Sequence, residues 1–306
     1  MDNELMEFDR INMIRDTINK YGIDNFYLSF SGGRDSTILH YLLDIAIPNN
    51  KIPRLFASTG MEYVDIVNFV KELQLKDDRI VIINSGIPIV KMLQENGYPF
   101  KGKQHSHNVA TFQHSGMTKT NLQYLGLGEK IIFLCPKILK YQFNENFKLK
   151  VSDTCCLKLK KEPMKRWAND NKKYITITGM KKEEGGQRNN LGCVYFDKDK
   201  HLIKFHPLIP VSKEWEDWFI EKHNIKLCRL YYPPFNFERT GCKGCPFSLD
   251  LQHQLDVMQE YLPQEKKMCE VIWKSVYDEY RRLGYRLKKR GTQVQTTIDD
   301  FIKGDD

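Results

Sequence analysis

The string Phe30–Thr37, FSGGRDST, stands directly after an apolar run that reads as a strand and directly before one that reads as a helix. Two consecutive glycines let the backbone turn tightly and approach a ligand closely, so the N–H groups of Gly32–Ser36 can converge on an anion. A helix starting near Asp35 adds the positive end of its dipole, and Ser31, Ser36 and Thr37 offer hydroxyl donors. A phosphate or pyrophosphate suits such a cradle. The same residues would also make a plain Gly-Gly turn with Asp35 or Ser36 as helix cap.

The second chemical signal is thiol. Cys155-Cys156 lie in VSDTCCLKLKKEP, and Cys242 and Cys245 form a CxxC in ERTGCKGCPF. Four thiolates from two paired positions match the ligand count of a 4Fe–4S cluster or of a four-cysteine zinc site. The alternative is that Cys155 and Cys156 are core residues and the CxxC a redox pair. The chain has eight cysteines, and its acidic N-terminus MDNELMEFDR shows no apolar leader, so a cytoplasmic, reducing home and no membrane span are expected. In that setting a disulfide framework is disfavoured and cysteine spacing is read for metal or thiol chemistry. Cys135, Cys228 and Cys269 lie in apolar or helical settings and read as core or surface thiols.

Elements must position these residues. Phe26–Phe30, Leu55–Ser58, Arg79–Asn84 and Tyr174–Gly179 are short β-rich runs. Helical patterns lie between them at Asp35–Ile47, Val64–Leu75 and Ile87–Asn96. Strands separated by helices imply βαβ units, hence an α/β fold with an open, mostly parallel sheet over the N-terminal two thirds. Residues 97–125 break the rhythm with a polar stretch that reads as a long loop, in which Lys101, Lys103, His105 and His107 could reach substrate phosphates. His105, His107 and His114 could alternatively bind zinc, although no helical HxxxH pattern accompanies them. Past residue 211 the composition turns aromatic and helical, with a charged helix at Gln264–Leu283. The expected division is therefore an α/β domain carrying the glycine-rich anion cradle over residues 1–210 and a helical, cysteine-bearing extension over residues 211–306.

The hydrophobic fraction of 41% supports a folded core and excludes a disordered or collagen-like chain. The net charge of +8 points weakly toward anionic partners. It is partly local. Lys158, Lys160, Lys161, Lys165 and Arg166 follow Cys156, and six of the ten residues Arg281–Arg290 are Arg or Lys, so tRNA or DNA binding stands beside a merely solvated tail.

FSGGRDST resembles the PP-loop of the N-type ATP pyrophosphatases, the SGGxDS signature of the adenine-nucleotide alpha-hydrolase group, with Arg34 where Lys is more frequent. Ala57–Tyr63, ASTGMEY, is similar to the D-T-G-x-E-(Y/F) segment of the phosphoadenosine phosphosulfate (PAPS) reductase family, with Ser58 where Asp is usual. The CC and CxxC pairs resemble the iron–sulfur ligand set of adenylylsulfate reductases and of bacterial and phage-borne members of that family. DTCCLKLKKEP, TGMKKEEGGQR, Gly192-Cys193 and Arg239–Cys242 keep the family's order over roughly residues 25–250.

The resemblance implies a Rossmann-like nucleotide-binding fold, ATP or another adenine nucleotide with Mg²⁺ at Ser31–Thr37, and a 4Fe–4S cluster on Cys155, Cys156, Cys242 and Cys245. Thr59 and Gly60 become candidates for base or ribose contact, and Arg188 for the nucleotide's anionic group. Arg34, Asp35, Arg188 and Cys193 form the expected catalytic set, Cys193 either relaying sulfur or packing as a small buried residue. Two departures bear on activity: the thioredoxin-dependent reductases carry a nucleophilic Cys in an E-C-G-(L/I)-H segment, whereas no cysteine follows Cys269 here, and the SGGxDS loop is nearly complete. Both favour ATP cleavage between the α and β phosphates coupled to sulfur transfer, with a sulfur or electron donor protein as partner. Reduction of adenylylsulfate or PAPS is the enzymatic alternative, and a nucleotide-sensing or DNA-associated accessory protein the non-enzymatic one.

Overall fold

The computed structural model describes residues 2–128, 134–184 and 190–289. The chain folds as two compact units, each discontinuous in sequence: Met1–Glu95 with Thr154–Lys243, and Asn96–Asp153 with Gly244–Asp306. This differs from the expected boundary at residue 210. The stretch after it stays with the first unit, where the Lys243 amide donates to the Met61 carbonyl at 2.7 Å, and residues 96–153 leave it.

In the first unit α1 (Asn3–Tyr21) precedes β1 (Phe26–Ser29), and α2 (Arg34–Ala46), β2 (Arg54–Ser58), α3 (Val64–Gln74), β3 (Ile80–Asn84) and α4 (Ile89–Asn96) follow in alternation, the last ending at the unit boundary. After the excursion come α7 (Glu162–Asp170), β4 (Ile175–Ile177), β5 (Val194–Phe196), β6 (Leu202–Phe205) and α8 (Lys213–Lys222). The sheet order is β3-β2-β1-β4-β6-β5, parallel throughout except for β5, which runs antiparallel to β6. The open, mostly parallel α/β reading is thus borne out. Strands covered on both faces need apolar residues on both, which is why FYLS and RLFAS are continuous runs rather than alternating ones. On α2, Ile38, Leu39, Leu42, Leu43 and Ala46 recur at helical spacing and are buried.

Arg54, wholly buried in β2, is held by Asp44 at 2.7 Å, by Asn50 Oδ1 at 2.7 Å and by His40 Nδ1 at 3.2 Å. A buried guanidinium persists only with such partners. Since β1 lies between β2 and β4, the crossovers diverge at its C-terminal end, which is where parallel sheets open a crevice for ligands.

The second unit corrects the loop expected at residues 97–125. Lys103–Ser115 form α5 and Lys119–Leu125 form α6. Its helical signal was masked because α5 buries polar residues, His105, Ser106 and Asn108, on its inner face. The charged helix expected at Gln264–Leu283 is two, α10 (Pro263–Ile272) and α11 (Lys274–Leu283), preceded by α9 (Leu251–Tyr261). On α11 the Tyr277 and Tyr280 hydroxyls donate to the carbonyls of Gly244 and Pro246, fixing the chain on either side of Cys245. Among the described residues no helix is long and apolar enough to cross a membrane.

Candidate functional site

The β1–α2 loop folds back on itself through its own hydroxyls. Ser36 Oγ donates to the Gly33 carbonyl at 2.9 Å and accepts the Ser31 amide at 3.2 Å, while the Gly33 amide donates to Ser31 Oγ at 3.3 Å. Thr37 is fully buried and its hydroxyl also donates to the Gly33 carbonyl, so it braces the loop. Gly32 adopts φ +68°, and a Cβ there would meet Val70 Cγ2 of α3 at 2.8 Å, so glycine is required on both counts. The Arg34 amide donates to the Tyr231 hydroxyl at 3.0 Å, which shares a 2.7 Å hydrogen bond with Thr240 Oγ1.

This loop forms one wall of a cavity of about 760 Å³, within the range typical of small-molecule sites. Ser31, Gly33, Arg34, Asp35 and Ser36 line it from the loop, Lys181 and Glu216 from beside it. Lys181 Nζ lies 2.7 Å from Glu216 and 3.2 Å from Asp35. Arg34 pairs through Nε with Glu216 at 3.3 Å and through its terminal nitrogen with Asp217. Burial first, then the Asp35 charge, push the Glu216 carboxyl up to about 7, against the pull of Lys181. Gly179 lets Asp35 approach: a Cβ at Gly179 would lie 2.9 Å from Asp35 Cβ.

Across the cavity, Glu62 accepts the Thr59 amide and hydroxyl, both at 2.9 Å, and lies 3.2 Å from Lys160 Nζ. Thr59 is buried with its donors committed to Glu62, whereas Gly60 is exposed at φ +81°. Lys160 belongs to a π-turn, Leu157–Lys161, that opens directly after Cys156 and runs into α7. Burial opposes the Lys160 charge, but Cys242, Glu62 and Cys156 outweigh it and raise the ammonium pKa. Cys155 is buried, Cys156 and Cys242 are half-buried, and burial raises the Cys242 thiol, with Lys160 opposing. These three lie in the first unit; Cys245 belongs to the second.

A tetrahedral zinc site, with Zn–S of about 2.3 Å, holds its sulfurs about 3.8 Å apart. Among the described residues, the sets of three ligand atoms within 4.8 Å of one another are His40, Asp44 and Asp77, and Asp197, Asp199 and His201; neither includes a cysteine. The three thiols of the first unit are therefore not all within 4.8 Å of one another, and their donor chemistry is that of a thiophilic metal group.

Cys193 is half-buried and accepts from Arg10 Nη1 at 3.6 Å; it is not among the cavity-lining residues described. Arg188 lies outside the described residues. His105 and His107 belong to the second unit. His105 is committed through both ring nitrogens, to Tyr124 at 3.0 Å and Gln142 at 2.7 Å, and burial lowers its pKa to about 4. Its zinc alternative is thereby closed. Lys158 pairs with Glu162 at 3.0 Å, and Lys161, Lys165 and Arg166 are exposed. In the basic run Arg281 pairs with Glu270, Arg282 with Glu279, and Arg286 donates to the Pro246 carbonyl; Arg290 lies outside the described residues. Glu216, Lys181 and Tyr231 were missed by sequence reasoning. Lys181 sits within the quoted TGMKKEEGGQR, but nothing in the chain order ties it to a glutamate on α8.

Residues 117–248 match the family model described as phosphoadenosine phosphosulfate reductase domain, so the motif resemblance is borne out there. The matched stretch holds all four candidate ligand cysteines; the glycine-rich loop precedes it. An uncharacterized protein of Methanocaldococcus jannaschii is 24% identical over 255 residues, 82% of this chain, which spans about half that relative's length at 48%. Among solved structures, a PAPS reductase from Candida auris, in phosphate complex, is similar at TM-score 0.41 and 12% identity over 76% of this chain and 93% of that one. The U34-tRNA thiolase of Methanococcus maripaludis, described with its 4Fe–4S cluster, is similar at TM-score 0.39 and 15% identity over 97% and 86% of the respective chains.

Proposed function

We propose that the first unit binds an adenine nucleotide as MgATP, that ATP is cleaved between the α and β phosphates to adenylate an acceptor, and that sulfur transfer follows. The observation that carries this is the cavity at the C-terminal end of β1, walled by Ser31–Ser36 and carrying Arg34 and Lys181. Loop amides not used in its internal hydrogen bonds, together with the helix N-terminus, would bind the departing pyrophosphate, and the two cations would offset the charge that develops on it, stabilisation that a preorganised, partly dry site makes strong. Arg188 is proposed as a further anion ligand and Gly60 as a ribose or base contact. Thr59 would act through Glu62. Magnesium enters as part of the substrate, bound by the phosphates.

The proposed iron–sulfur ligands are Cys155, Cys156 and Cys242, with Cys245 as the fourth on sequence alone. Such a cluster would supply a thiophilic metal for sulfur binding or an electron. Lys160 keeps positive charge beside the thiolates and ties them to Glu62 in the nucleotide cavity. Cys193, beside Arg10, is proposed only as a relay thiol.

The experiment is release of labelled pyrophosphate from ATP by anaerobically purified protein, expected to be lost in Gly33→Asp and Arg34→Ala. Absence of nucleotide binding by the purified protein would sink the reading. The family match favours one second reading, reduction of adenylylsulfate or PAPS, which predicts sulfite release with a thiol donor and no pyrophosphate from ATP.

A further inference from the structure

The cations of the nucleotide cavity are already spoken for. Lys181 Nζ bridges Asp35, at 3.2 Å, and Glu216, at 2.7 Å. Glu216 is fully buried, its Oε1 has no hydrogen-bond partner, and the buried Arg34 Nε beside it has none either. The groups facing Glu216 are Arg34 and Asp35 from α2, Lys181 from the segment after β4, and Asp217 from its own helix, the last more exposed and holding the Arg34 terminus. One buried carboxylate, Glu216, and one partly exposed, Asp35, are thus balanced by two cations.

A polyphosphate entering this cavity competes for those cations. When Lys181 turns to a phosphate oxygen, Asp35 and Glu216 lose the ammonium that bridges them, and two neighbouring carboxylates, one of them buried, resist staying ionised together. The orphaned Oε1 gives an added proton a place to sit.

On the reading that this cavity takes a nucleotide, we propose that Glu216 is a positioning residue that stores Lys181 against Asp35, and that nucleotide binding transfers Lys181 to the phosphates while the Glu216–Asp35 pair takes one proton from solvent. The proton moves from buffer acid to a carboxylate oxygen, and no covalent bond to the nucleotide forms or breaks. The upward displacement of the Glu216 carboxyl, caused by burial and then by Asp35 and resisted by Lys181, acts in the same direction: removing Lys181 pushes it further up.

The test is calorimetric titration of the full chain with ATP and excess magnesium near pH 8, in buffers of different protonation enthalpy. The wild type is expected to take up close to one proton per ATP bound. Glu216→Gln, of the same shape, is expected to bind ATP with that uptake abolished. Lys181→Gln leaves the pair protonated before ATP arrives, so its uptake is expected to vanish together with at least about tenfold in affinity. Buffer-independent heat in the wild type, or unchanged uptake in either variant, overturns the proposal while leaving nucleotide binding intact. No heat with ATP, ADP or pyrophosphate would instead overturn the nucleotide reading on which it rests.

Discussion

Lys160 Nζ stands 3.2 Å from the Glu62 carboxylate, and through this pair the turn that follows Cys156 meets the wall of the cavity beside the Ser31–Thr37 loop. Glu62 in turn holds both donors of Thr59, so the end of β2, the cavity and the thiols share one electrostatic unit. If the thiols carry a cluster, Lys160→Met should lower retained iron and sulfide about tenfold, as loss of a ligand's supporting partner does. Iron and sulfide assays on anaerobically purified protein check this. Full retention in Lys160→Met would separate the two sites.

Single Cys156→Ser and Cys242→Ser changes are expected to abolish iron binding and its visible absorbance. Cys228 is the control: its thiol is buried in the first unit and burial pushes its pKa up to about 11, so it is an inert packing group. Cys228→Ala should keep the iron and cost about 1–2 kcal/mol of stability, read by denaturant unfolding.

Two glycines discriminate close approach from backbone freedom. Gly179→Ala would drive a methyl to 2.9 Å from Asp35 Cβ, and overpacking of this kind costs about 1–3 kcal/mol and displaces the loop. Nucleotide affinity, measured by equilibrium binding, should fall at least about tenfold. Gly60→Ala meets no atom within 4 Å and pays only for its φ of +81°, about 1 kcal/mol. A large affinity loss at Gly60 would therefore report direct nucleotide contact.

Acid should unfold the protein below neutral pH. Burial lowers His40, His105 and His206 to about 4, so the native state holds them neutral while the unfolded chain protonates them near 6.5. Their contribution is full above pH 6.5 and is lost as pH falls from there toward 4, by up to about 3 kcal/mol for each. Glu216 runs the other way, since its raised value favours the fold at low pH and that advantage fades as pH climbs from about 4.5 through 7. Three groups against one predict a net loss on acidification. Urea midpoints at pH 7.5, 5.5 and 4.5 measure it, and a flat profile would contradict it.

The basic run at α11 should contribute little to nucleic-acid binding. Arg282 is stacked 5.0 Å over the Tyr141 ring as well as paired with Glu279. Arg282→Ala is expected to cost about 1 kcal/mol of stability and to leave the salt dependence of any DNA or tRNA binding unchanged. A shallower salt slope in a filter-binding assay would reverse that assignment.

What the sequence made legible was whatever one stretch of chain encodes by itself. FYLS and the glycines after it announce a strand and a turn because burial and φ are local demands, and the structure has β1 and the Ser31–Thr37 loop there. The β5–β6 hairpin escaped because VYF is short and sits at the sheet edge with 38–49% of each side chain exposed. Helix α5 escaped because its inner face is polar. Glu216 escaped for a different reason: between two tryptophans in WEDW it reads as a surface charge, and its partners Arg34, Asp35 and Lys181 arrive only through the crossovers of the sheet.

Position 34 carries Arg where the resembling loops more often carry Lys, and α8 supplies the reason. One guanidinium reaches Glu216 through Nε and Asp217 through its terminal nitrogen, two adjacent acids of which the first is sealed and the second faces water. An ammonium is a single point charge and cannot span both. Loop and helix are therefore matched as a pair: a lysine transplanted alone at 34 would keep at most one of the two contacts to α8, leaving Glu216 to Lys181 and Asp217 to solvent.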